Sequence, residues 1–347
     1  MNILHIIDTL SIGGAQILLK FFFSQKKDDS SIFLFALRTK KRVVKINHPN
    51  VFISKNTKRY SFAALAELRK TIEENDIKII HCHLLKSQIF GWLLKKFWFP
   101  NIKLIFHEHG KIFLSNLFVS IFLRIAKKNV DIFIAVSQMT EKKLIQVLNL
   151  DNSKLELIYN FSNIQPVVKS PKKTETTTLG VIGRLCSHKG IDVLINALPF
   201  IRNKYRLLVI GVGSDEKMLK TLAKTLGVEQ NIDFVGYLEN VSEAFRKMDI
   251  LVVPSRFESF GLVAIEAQMA GIPVIAANVG GLVEIIRHEQ NGLKFESENI
   301  QDLSSTINFA MENPEILKKL AKTAQKDVKK YSFENFDKDL TNLYRKL

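Results

Sequence analysis

The densest group of residues suited to chemistry is the segment from Glu258 to Glu266. It follows an apolar run typical of a strand and leads through Ser259, Phe260 and Gly261 into a helical pattern. Peptide N–H groups at a helix start are unpaired and lie at the positive end of its dipole, so these three residues could hold an anion. The two carboxylates could accept hydrogen bonds from pairs of hydroxyl groups. The segment predicts a site for a phosphate and a polyhydroxyl group, and a solvated helix face is the alternative.

A second possible anion site is the loop Gly183-Arg184-Leu185-Cys186-Ser187-His188-Lys189-Gly190, which follows another apolar run. Arg184 offers a planar fork of donors for phosphate oxygens, and Lys189 offers a compact charge. Together they could neutralise a diphosphate without a metal ion. Two surface cations on a loop are the alternative explanation.

Two further glycine turns follow predicted strands. Gly211-Val212-Gly213 lacks the third glycine of a dinucleotide fingerprint, so it is weak support for NAD binding. Gly13 and Gly14 join the first predicted strand to a helix. Glycine there either lets the backbone approach a ligand or makes a tight strand-to-helix turn.

Two His-x-His pairs, His81-Cys82-His83 and His107-Glu108-His109, each end an apolar strand. Because side chains alternate along a strand, both histidines of a pair lie on one face, and a metal site is conceivable. No third and fourth ligands are evident in the sequence. A single histidine that hydrogen-bonds a ligand is the favoured interpretation, and His109 is the best placed.

Short apolar runs alternate with helical patterns along the whole chain, which predicts parallel sheets covered by helices. The predicted strands lie near 3–7, 31–36, 51–53, 78–82, 103–106, 132–136 and 155–158, then 179–182, 206–210, 232–235, 250–253, 273–276 and 293–295, and one helix is predicted at 62–74. The polar, proline-marked stretch 166–178 predicts a linker. We therefore expect two doubly wound α/β domains at 1–165 and 179–332, with an amphipathic closing helix at 333–347 that could pack back on either domain. Such sheets bind ligands at the carboxyl ends of their strands, so a cleft between the domains is expected to hold the site.

The 347 residues carry a net charge of +16, and residues 1–162, with 25 Lys and Arg against 12 Asp and Glu, account for +13 of it. Two distant cysteines support neither a disulfide framework nor a zinc knuckle. No signal peptide and no run of about 20 apolar residues is evident, so a cytoplasmic protein is expected. The charge suggests an anionic partner, but no nucleic-acid-binding module is recognisable.

The first half also holds a candidate membrane surface. Trp92, Lys95, Lys96 and Trp98 combine aromatic bulk with positive charge, and an apolar run follows at 112–126. Such segments insert into the interface of an anionic membrane, and the basic stretches 38–45 and 55–59 favour this interpretation. Buried helices of a large α/β domain explain the same apolar residues.

Together these motifs resemble the retaining glycosyltransferases of family 4, which have the GT-B fold of two facing Rossmann-like domains. The resemblance spans nearly the whole chain. It rests on Gly13-Gly14-Ala15, His109-Gly110, Gly183-Arg184 with Lys189-Gly190, Gly211-Val212-Gly213, Phe234-Val235-Gly236, Glu258 and Glu266 with seven residues between them, Gly271-Ile272-Pro273-Val274, and Gly280-Gly281 with Glu284.

The resemblance implies a nucleotide-sugar donor in the second domain and an acceptor in the first. Arg184 and Lys189 would hold the diphosphate, so that no metal ion or other cofactor is needed, and Glu258 would hold sugar hydroxyls with the amides of 259–261. Glu266 would bind the ribose and Leu238 the base. His109 would lie beside the transferred sugar, and the Gly13-Gly14 turn would approach the diphosphate. The closing helix at 333–347 resembles the family's last helix, which would pack back on the N-terminal domain.

The expected function is thus transfer of a sugar, from a UDP-linked donor, to a lipid-linked saccharide or to a precursor of a cell-surface polysaccharide, lipopolysaccharide or O-antigen. The enzyme would be peripheral at the inner face of an anionic membrane. Two Rossmann-like units alone would also suit an NAD-dependent oxidoreductase or a nucleotide-sugar epimerase. These alternatives would differ in cofactor binding and in their products.

Overall fold

The computed structural model divides the chain into two compact units. Unit 1 comprises Met1–Phe161 and Phe333–Leu347, and unit 2 comprises Ser162–Ser332. The structure describes residues 1–11, 13–38, 44–55, 61–110, 117–168 and 176–347. Within the segment predicted as a linker, the peptide N–H of Val167 donates to the carbonyl of Ala270 (3.1 Å), and residues 169–175 lie outside the described ranges. Unit 2 thus begins before the predicted linker.

Unit 1 is built on a parallel sheet of seven strands in the order β3-β2-β1-β4-β5-β6-β7. Its strands are β1 (Asn2–Ile7), β2 (Ile32–Ala36), β3 (Val51–Ile53), β4 (Ile77–His83), β5 (Lys103–Glu108), β6 (Ile132–Ala135) and β7 (Leu155–Leu157). The helices between them are α1 (Gly14–Gln25), α2 (Phe62–Glu74), α3 (Leu85–Phe97), α4 (Leu117–Ala126) and α5 (Gln138–Leu148). Helices on both faces bury the sheet, which explains why its strands are almost continuously apolar.

Unit 2 contains a parallel sheet of six strands in the order β10-β9-β8-β11-β12-β13. Its strands are β8 (Thr177–Ile182), β9 (Tyr205–Ile210), β10 (Ile232–Gly236), β11 (Ile250–Val253), β12 (Val274–Ala277) and β13 (Leu293–Phe295). Its helices are α6 (Ile191–Ala197), α7 (Glu216–Thr225), α8 (Val241–Lys247), α9 (Leu262–Ala270), α10 (Leu282–Ile285), α11 (Ile300–Glu312) and α12 (Pro314–Asp327). Both sheets have the doubly wound topology predicted from the alternating pattern.

The last helix, α13 (Phe333–Lys346), belongs to unit 1 although 171 residues of unit 2 precede it. Its apolar face contributes Phe336, Leu340, Leu343 and Tyr344 to the core beneath α1 and β1. Phe336 packs against Phe22 of α1, with ring centroids 6.1 Å apart. The C-terminal segment therefore completes the core of the first unit.

A carboxyl group lies in the interior of unit 1. Glu108, at the end of β5, is 1% exposed, and its Oε1 atom accepts a hydrogen bond from Nε2 of Gln88 on α3 (2.7 Å). Its other oxygen has no hydrogen-bond partner in the described part of the chain. Burial disfavours the charged carboxylate and raises the pKa of Glu108 from 4.5 to about 7.

This buried carboxyl should make the stability of unit 1 depend on pH. Between pH 4.5 and about 7 the folded state keeps a proton that the unfolded state releases, so the free energy of unfolding falls as pH rises. Glu108→Gln removes the ionisable group, so the variant should not show this decrease in the free energy of unfolding. Between about pH 4 and about pH 8, the free energy of unfolding of the variant minus that of the wild type should increase by on the order of 3 kcal/mol.

Urea unfolding followed by tryptophan fluorescence measures this, because both tryptophans, Trp92 and Trp98, lie in unit 1. Glu67→Gln, at an exposed position of α2, is the matched control and should show no such growth. A pH-independent difference between Glu108→Gln and the wild type would contradict the account of Glu108.

Candidate functional site

The topology of unit 2 fixes where a ligand site can form. The chain leaves β8 toward β9 on one side of the sheet and later returns to place β11 on its other side. At such a switch point the loops that follow the two neighbouring strands diverge and leave a crevice at the carboxyl ends of the strands. The loop after β8 carries Arg184 and Lys189, and the loop after β11 carries Glu258. The two loops predicted separately as anion sites are therefore neighbours.

Gly190 lets the two loops approach each other closely. Its φ is +63°, and a Cβ atom there would lie 1.9 Å from the carbonyl oxygen of Pro254 in the other loop. The peptide N–H of Arg256 also donates to the carbonyl of His188 (3.0 Å). Both the backbone conformation and the close approach require glycine.

The principal contact of the site joins these loops through their side chains. Nζ of Lys189 lies 2.5 Å from Oε2 of Glu258, and the two side chains are only 21% and 16% exposed. Ser255 also donates a hydrogen bond to Oε2 of Glu258 (3.4 Å). A cation suited to phosphate is thus in contact with a carboxylate suited to hydroxyl groups, in a partly desolvated position.

The two arginines of these loops differ in their partners. Arg184 is exposed and makes no ion pair with any residue that the structure describes. Arg256 pairs instead with Asp192 (2.7 Å) and Glu298 (2.8 Å), and the bonds to Asp192 raise its pKa. Arg256 therefore ties the loop to α6, while Arg184 is available for an anionic ligand.

The predicted helix start lies where expected, with a tight backbone around it. Gly261 precedes α9 with φ +107°, and Ser259 and Phe260 before it are buried. The carbonyl of Glu258 accepts from the N–H of Gly281 (2.9 Å), and a Cβ on Gly280 would lie 2.0 Å from that same oxygen. These contacts fix the backbone of Glu258.

Other predicted donor-site residues surround the same end of the sheet. Glu266 is half-buried on α9, where burial raises its pKa to about 7, and Leu238 is half-buried in the loop after β10. A Cβ on Gly211, whose φ is +139°, would lie 1.8 Å from the carbonyl oxygen of Gly183. The close packing of the loops after β8 and β9 therefore accounts for glycine at position 211, without any ligand.

In unit 1 the predicted glycine turn begins α1. Gly13 is the N-terminal cap residue and has an extended backbone, with φ −178°, which any residue could adopt. Gly14 is exposed, and Ile12, the residue before the turn, lies outside the described residues. The structure therefore gives no conformational reason for glycine at position 13.

The two His-x-His pairs meet in unit 1 and are joined by His5 of β1, which stands in no motif of the sequence. Because β1, β4 and β5 are parallel neighbours in register, His5 lies beside His81, and His83 lies beside His107. Two groups of three histidines, 5/81/83 and 83/107/109, have nitrogens within 4.8 Å of one another. The missing third ligand of a metal site is therefore present in the sheet.

The ring orientations nevertheless favour a stack over a metal centre. The rings of His81 and His83 are inclined by only 17° with centroids 4.4 Å apart, and those of His107 and His109 by 24° at 4.1 Å. Nitrogen lone pairs lie in the ring plane, so stacked rings direct them side by side, whereas a zinc ion needs convergent lone pairs. The nitrogens hydrogen-bond each other at 2.9–3.1 Å.

The residues predicted to face a membrane divide into two groups. Trp92 packs on the core, and its Nε1 donates to Oδ1 of Asn129 (3.1 Å), while Lys95 is ion-paired with Asp131. Trp92 and Lys95 therefore stabilise unit 1 through these contacts. Lys96 and Trp98 are exposed, and Nζ of Lys96 lies 4.7 Å from the centre of the Trp92 ring.

Helix α4 carries the more prominent exposed apolar surface. Four side chains at helical spacing, Leu117 (70% exposed), Phe118 (81%), Ile121 (44%) and Ile125 (55%), form a stripe that we call the α4 stripe. Positions 111–116 of the predicted apolar run, and 39–43 and 56–60 of the basic stretches, lie outside the described residues. In the part of the chain that is described, no helix is long and apolar enough to cross a bilayer.

Two family profiles match the chain. Residues 25–165 match "Glycosyltransferase Family 4", and residues 165–327 match "Glycosyl transferases group 1". Among solved structures, Anabaena HepE in complex with UDP and glucose is similar over 100% of both chains, with a TM-score of 0.88 and 21% identity. That likeness confirms the predicted GT-B fold.

Curated relatives extend over much of the chain. The uncharacterized glycosyltransferase MJ1178 of Methanocaldococcus jannaschii is 31% identical, over 80% of this chain and 78% of its own. The glycosyltransferase MJ1607 of the same organism is 32% identical, and the match spans 59% of its length. A 41.2 kDa protein in the cps region of Klebsiella pneumoniae is 28% identical, over 92% of this chain and 94% of its own. The chain therefore belongs to the glycosyltransferases, and not to the NAD-dependent oxidoreductases or epimerases that its two sheets alone would also suit.

Proposed function

We propose that the protein is a retaining, metal-independent transferase of family 4 type that moves a sugar from a UDP-linked donor to a lipid-linked or polysaccharide acceptor. The contact between Lys189 and Glu258 at the switch point of unit 2 carries the proposal. It joins a group suited to phosphate to a group suited to hydroxyls, and a nucleotide sugar carries both a diphosphate and sugar hydroxyls. Anabaena HepE, which has the same fold, was crystallised with UDP and with UDP-glucose.

In this proposal Arg184 and Lys189 hold the diphosphate. The ammonium group of Lys189 has three donors, so it can contact a phosphate oxygen while it keeps its bond to Glu258. When the bond between the sugar and the diphosphate breaks, negative charge grows on the leaving phosphate oxygen. Two fixed cations beside that oxygen stabilise the transition state more than the ground state. They supply the charge that a divalent ion provides in other phosphate sites.

Glu258 and Glu266 hold the hydroxyl groups of the donor. Glu258 takes the transferred sugar, because it lies beside Lys189, and Glu266 takes the ribose, with the backbone of Leu238 against the base. A carboxylate bonded to an ammonium group at 2.5 Å is a poor nucleophile, so Glu258 binds rather than attacks. His109, the residue directly after β5, hydrogen-bonds a substrate hydroxyl.

Retention then follows from attack on the face that the diphosphate leaves. The bond from the anomeric carbon to the diphosphate oxygen breaks, and the acceptor oxygen bonds to the same face of that carbon. The acceptor proton passes to the departing phosphate oxygen, so no separate protein base is required. Orientation of the two substrates supplies the remaining acceleration.

The acceptor proposal rests on the surface of unit 1. The α4 stripe would enter the interface of a membrane, and the excess of basic residues in the first half would meet anionic headgroups. Membrane association would bring the enzyme to a lipid-linked acceptor. The cps-region relative of Klebsiella pneumoniae is consistent with a polysaccharide product.

The donor assignment predicts different effects for the cations and the carboxylate. Arg184→Ala and Lys189→Met should lower kcat/KM for the donor by about 10²–10³-fold, because each removes a group that stabilises the leaving diphosphate. Glu258→Gln should abolish most sugar transfer but keep or increase the affinity for UDP, since it frees the charge of Lys189. Calorimetry with UDP and a coupled assay with a panel of UDP-sugars measure the two quantities.

Arg202→Ala, at an exposed arginine of unit 2, is the matched control and should change neither quantity. The assignment is wrong if Glu258→Gln weakens UDP binding as much as Lys189→Met does. It is equally wrong if folded Arg184→Ala retains full activity.

The membrane proposal predicts that the α4 stripe controls binding to lipid. Replacing Leu117, Ile121 and Ile125 by Ser should lower affinity for phosphatidylglycerol-containing vesicles at least about tenfold, because apolar surface no longer enters the interface. Vesicle co-sedimentation measures this, with pure phosphatidylcholine vesicles as the lipid control. Phe200→Ser, at an exposed phenylalanine of unit 2, is the protein control. If the wild type does not bind the anionic vesicles, the proposal fails.

A further inference from the structure

Five histidines and one tyrosine of unit 1 form a continuous hydrogen-bonded chain, which we call the histidine chain. Its bonds run from His109 Nε2 to His83 Nδ1 (2.9 Å), His83 Nε2 to His5 Nδ1 (3.0 Å), His5 Nε2 to Tyr344 Oη (3.3 Å), Tyr344 Oη to His81 Nδ1 (2.7 Å) and His81 Nε2 to His107 Nδ1 (3.1 Å). Each inner member uses both sides of its ring or hydroxyl group. The chain links β1, β4 and β5 to α13.

All five rings are neutral. His5, His81, His83 and His107 are at most 1% exposed, and burial disfavours the imidazolium form. It lowers the pKa of His5 to about 3 and that of His109 to about 4, and the pKa values of the other three lie well below 6.5. A neutral imidazole has one N–H donor and one acceptor nitrogen.

This makes the tautomers interdependent. Each bond between two rings needs one donor and one acceptor, so a ring that donates through Nδ1 must accept at Nε2, and its neighbour must do the same. If Tyr344 accepted from both His5 and His81, its own buried O–H group would have no partner in the described part of the protein, so it donates to one and accepts from the other. Carried through this hydroxyl, the rule leaves two fully bonded arrangements. Either all five histidines carry their proton on Nδ1, or all five carry it on Nε2.

The end of the chain at His107 distinguishes the two arrangements. Its Nε2 atom is buried and has no hydrogen-bond partner in the described part of the protein. If all protons were on Nε2, a buried N–H group would be left unpaired there. With all protons on Nδ1, only a lone pair is left, and unpaired buried N–H groups are the rarer of the two in proteins.

We propose that the histidine chain holds all five histidines in the Nδ1–H form and thereby makes His109 a hydrogen-bond donor to the substrate rather than a base. His109 accepts from His83 at Nε2, so the nitrogen left for a ligand is Nδ1, which carries the proton. His83 and His5 are positioning residues that fix this state, and Tyr344 couples them to the pair of His81 and His107. The role toward substrate rests on the proposed sugar transfer, whereas the tautomer assignment does not.

Nitrogen-15 NMR of the full chain, labelled at histidine, tests the assignment directly. The sequence has eight histidines, and single substitutions identify their signals. Between about pH 6 and 8, the five rings of the chain should each show a protonated Nδ1 and a bare Nε2. A protonated Nε2 on neutral His109, or a charged His109 ring in this range, would overturn the proposal.

Tyr344→Phe tests whether the chain is continuous, and it keeps the ring that packs in the core. Without the hydroxyl, either orientation of the His81–His107 pair leaves one N–H unpaired, so this pair should become a mixture of tautomers. His5, His83 and His109 should stay in the Nδ1–H form, because their open end at His5 Nε2 is a lone pair. Unchanged signals from His81 and His107 would show that the chain does not pass through Tyr344.

The donor role is tested by two substitutions of His109. The amide nitrogen of Asn lies as many bonds from Cα as Nδ1 of His, and that of Gln lies as many bonds away as Nε2. His109→Asn should therefore keep up to about tenfold more sugar transfer than His109→Gln, the worth of one hydrogen bond to the substrate. Equal losses would contradict the donor role. If the wild type uses no UDP-sugar, the proposed function fails, while the spectra still decide the tautomers.

Discussion

The contact between Lys189 and Glu258 depends on how closely two loops can approach. A Cβ atom on Gly190 would lie 1.9 Å from the carbonyl oxygen of Pro254, so any other residue would push the loops after β8 and β11 apart. The same close approach recurs at Gly280, beneath the backbone of Glu258. Backbone packing at the switch point, rather than the charges themselves, therefore places a cation and a carboxylate within 2.5 Å of each other. The charge of each then compensates for the desolvation of the other.

Unit 1 also buries polar side chains, but these are neutral. Its sheet buries four histidines and half-buries a fifth, His109, and their hydrogen bonds with one another and with Tyr344 replace the water that they lose. Tyr344 comes from the last helix of the chain, so the polar layer is completed only when α13 packs against β1. The hydrogen-bonded chain that ends at His109 thus includes a residue 235 positions away in sequence. Unit 2 thus stabilises its buried polar side chains by an ion pair, and unit 1 by hydrogen bonds between neutral rings.

The sequence predicts the positions of the strands and helices well, but it does not predict which side chains contact each other. Every predicted strand is present, because parallel strands buried on both faces are short apolar runs, and α2 spans the predicted residues 62–74. The Glu258–Gly261 turn also lies at the predicted helix start. The pairing of Lys189 with Glu258, by contrast, joins positions 69 residues apart. It follows from strand order, which the periodicity of a sequence does not reveal.

The positions of His5 and Trp92 likewise depend on tertiary structure. His5 stands alone in the sequence, and only the register of β1 beside β4 brings it to His81 and His83. Trp92 is a residue type expected in a membrane anchor, yet it lies on the side of α3 that packs against the core. The type of a residue indicates whether it could bind a ligand or a membrane. Strand register and helix orientation determine whether its side chain lies where it can do so. The exposed residues of α4 lay within a run whose overall apolar character concealed which face is buried.

The central claim is that the switch point of unit 2 binds the diphosphate of a nucleotide sugar through Arg184 and Lys189, with Glu258 at the sugar. A crystal structure of the protein soaked with UDP tests it most directly. We predict phosphate density within hydrogen-bond distance of the Lys189 ammonium and the Arg184 guanidinium groups, with Glu258 beside the terminal phosphate. Well-ordered UDP whose phosphates lie elsewhere in the protein, away from both cations, would contradict the account.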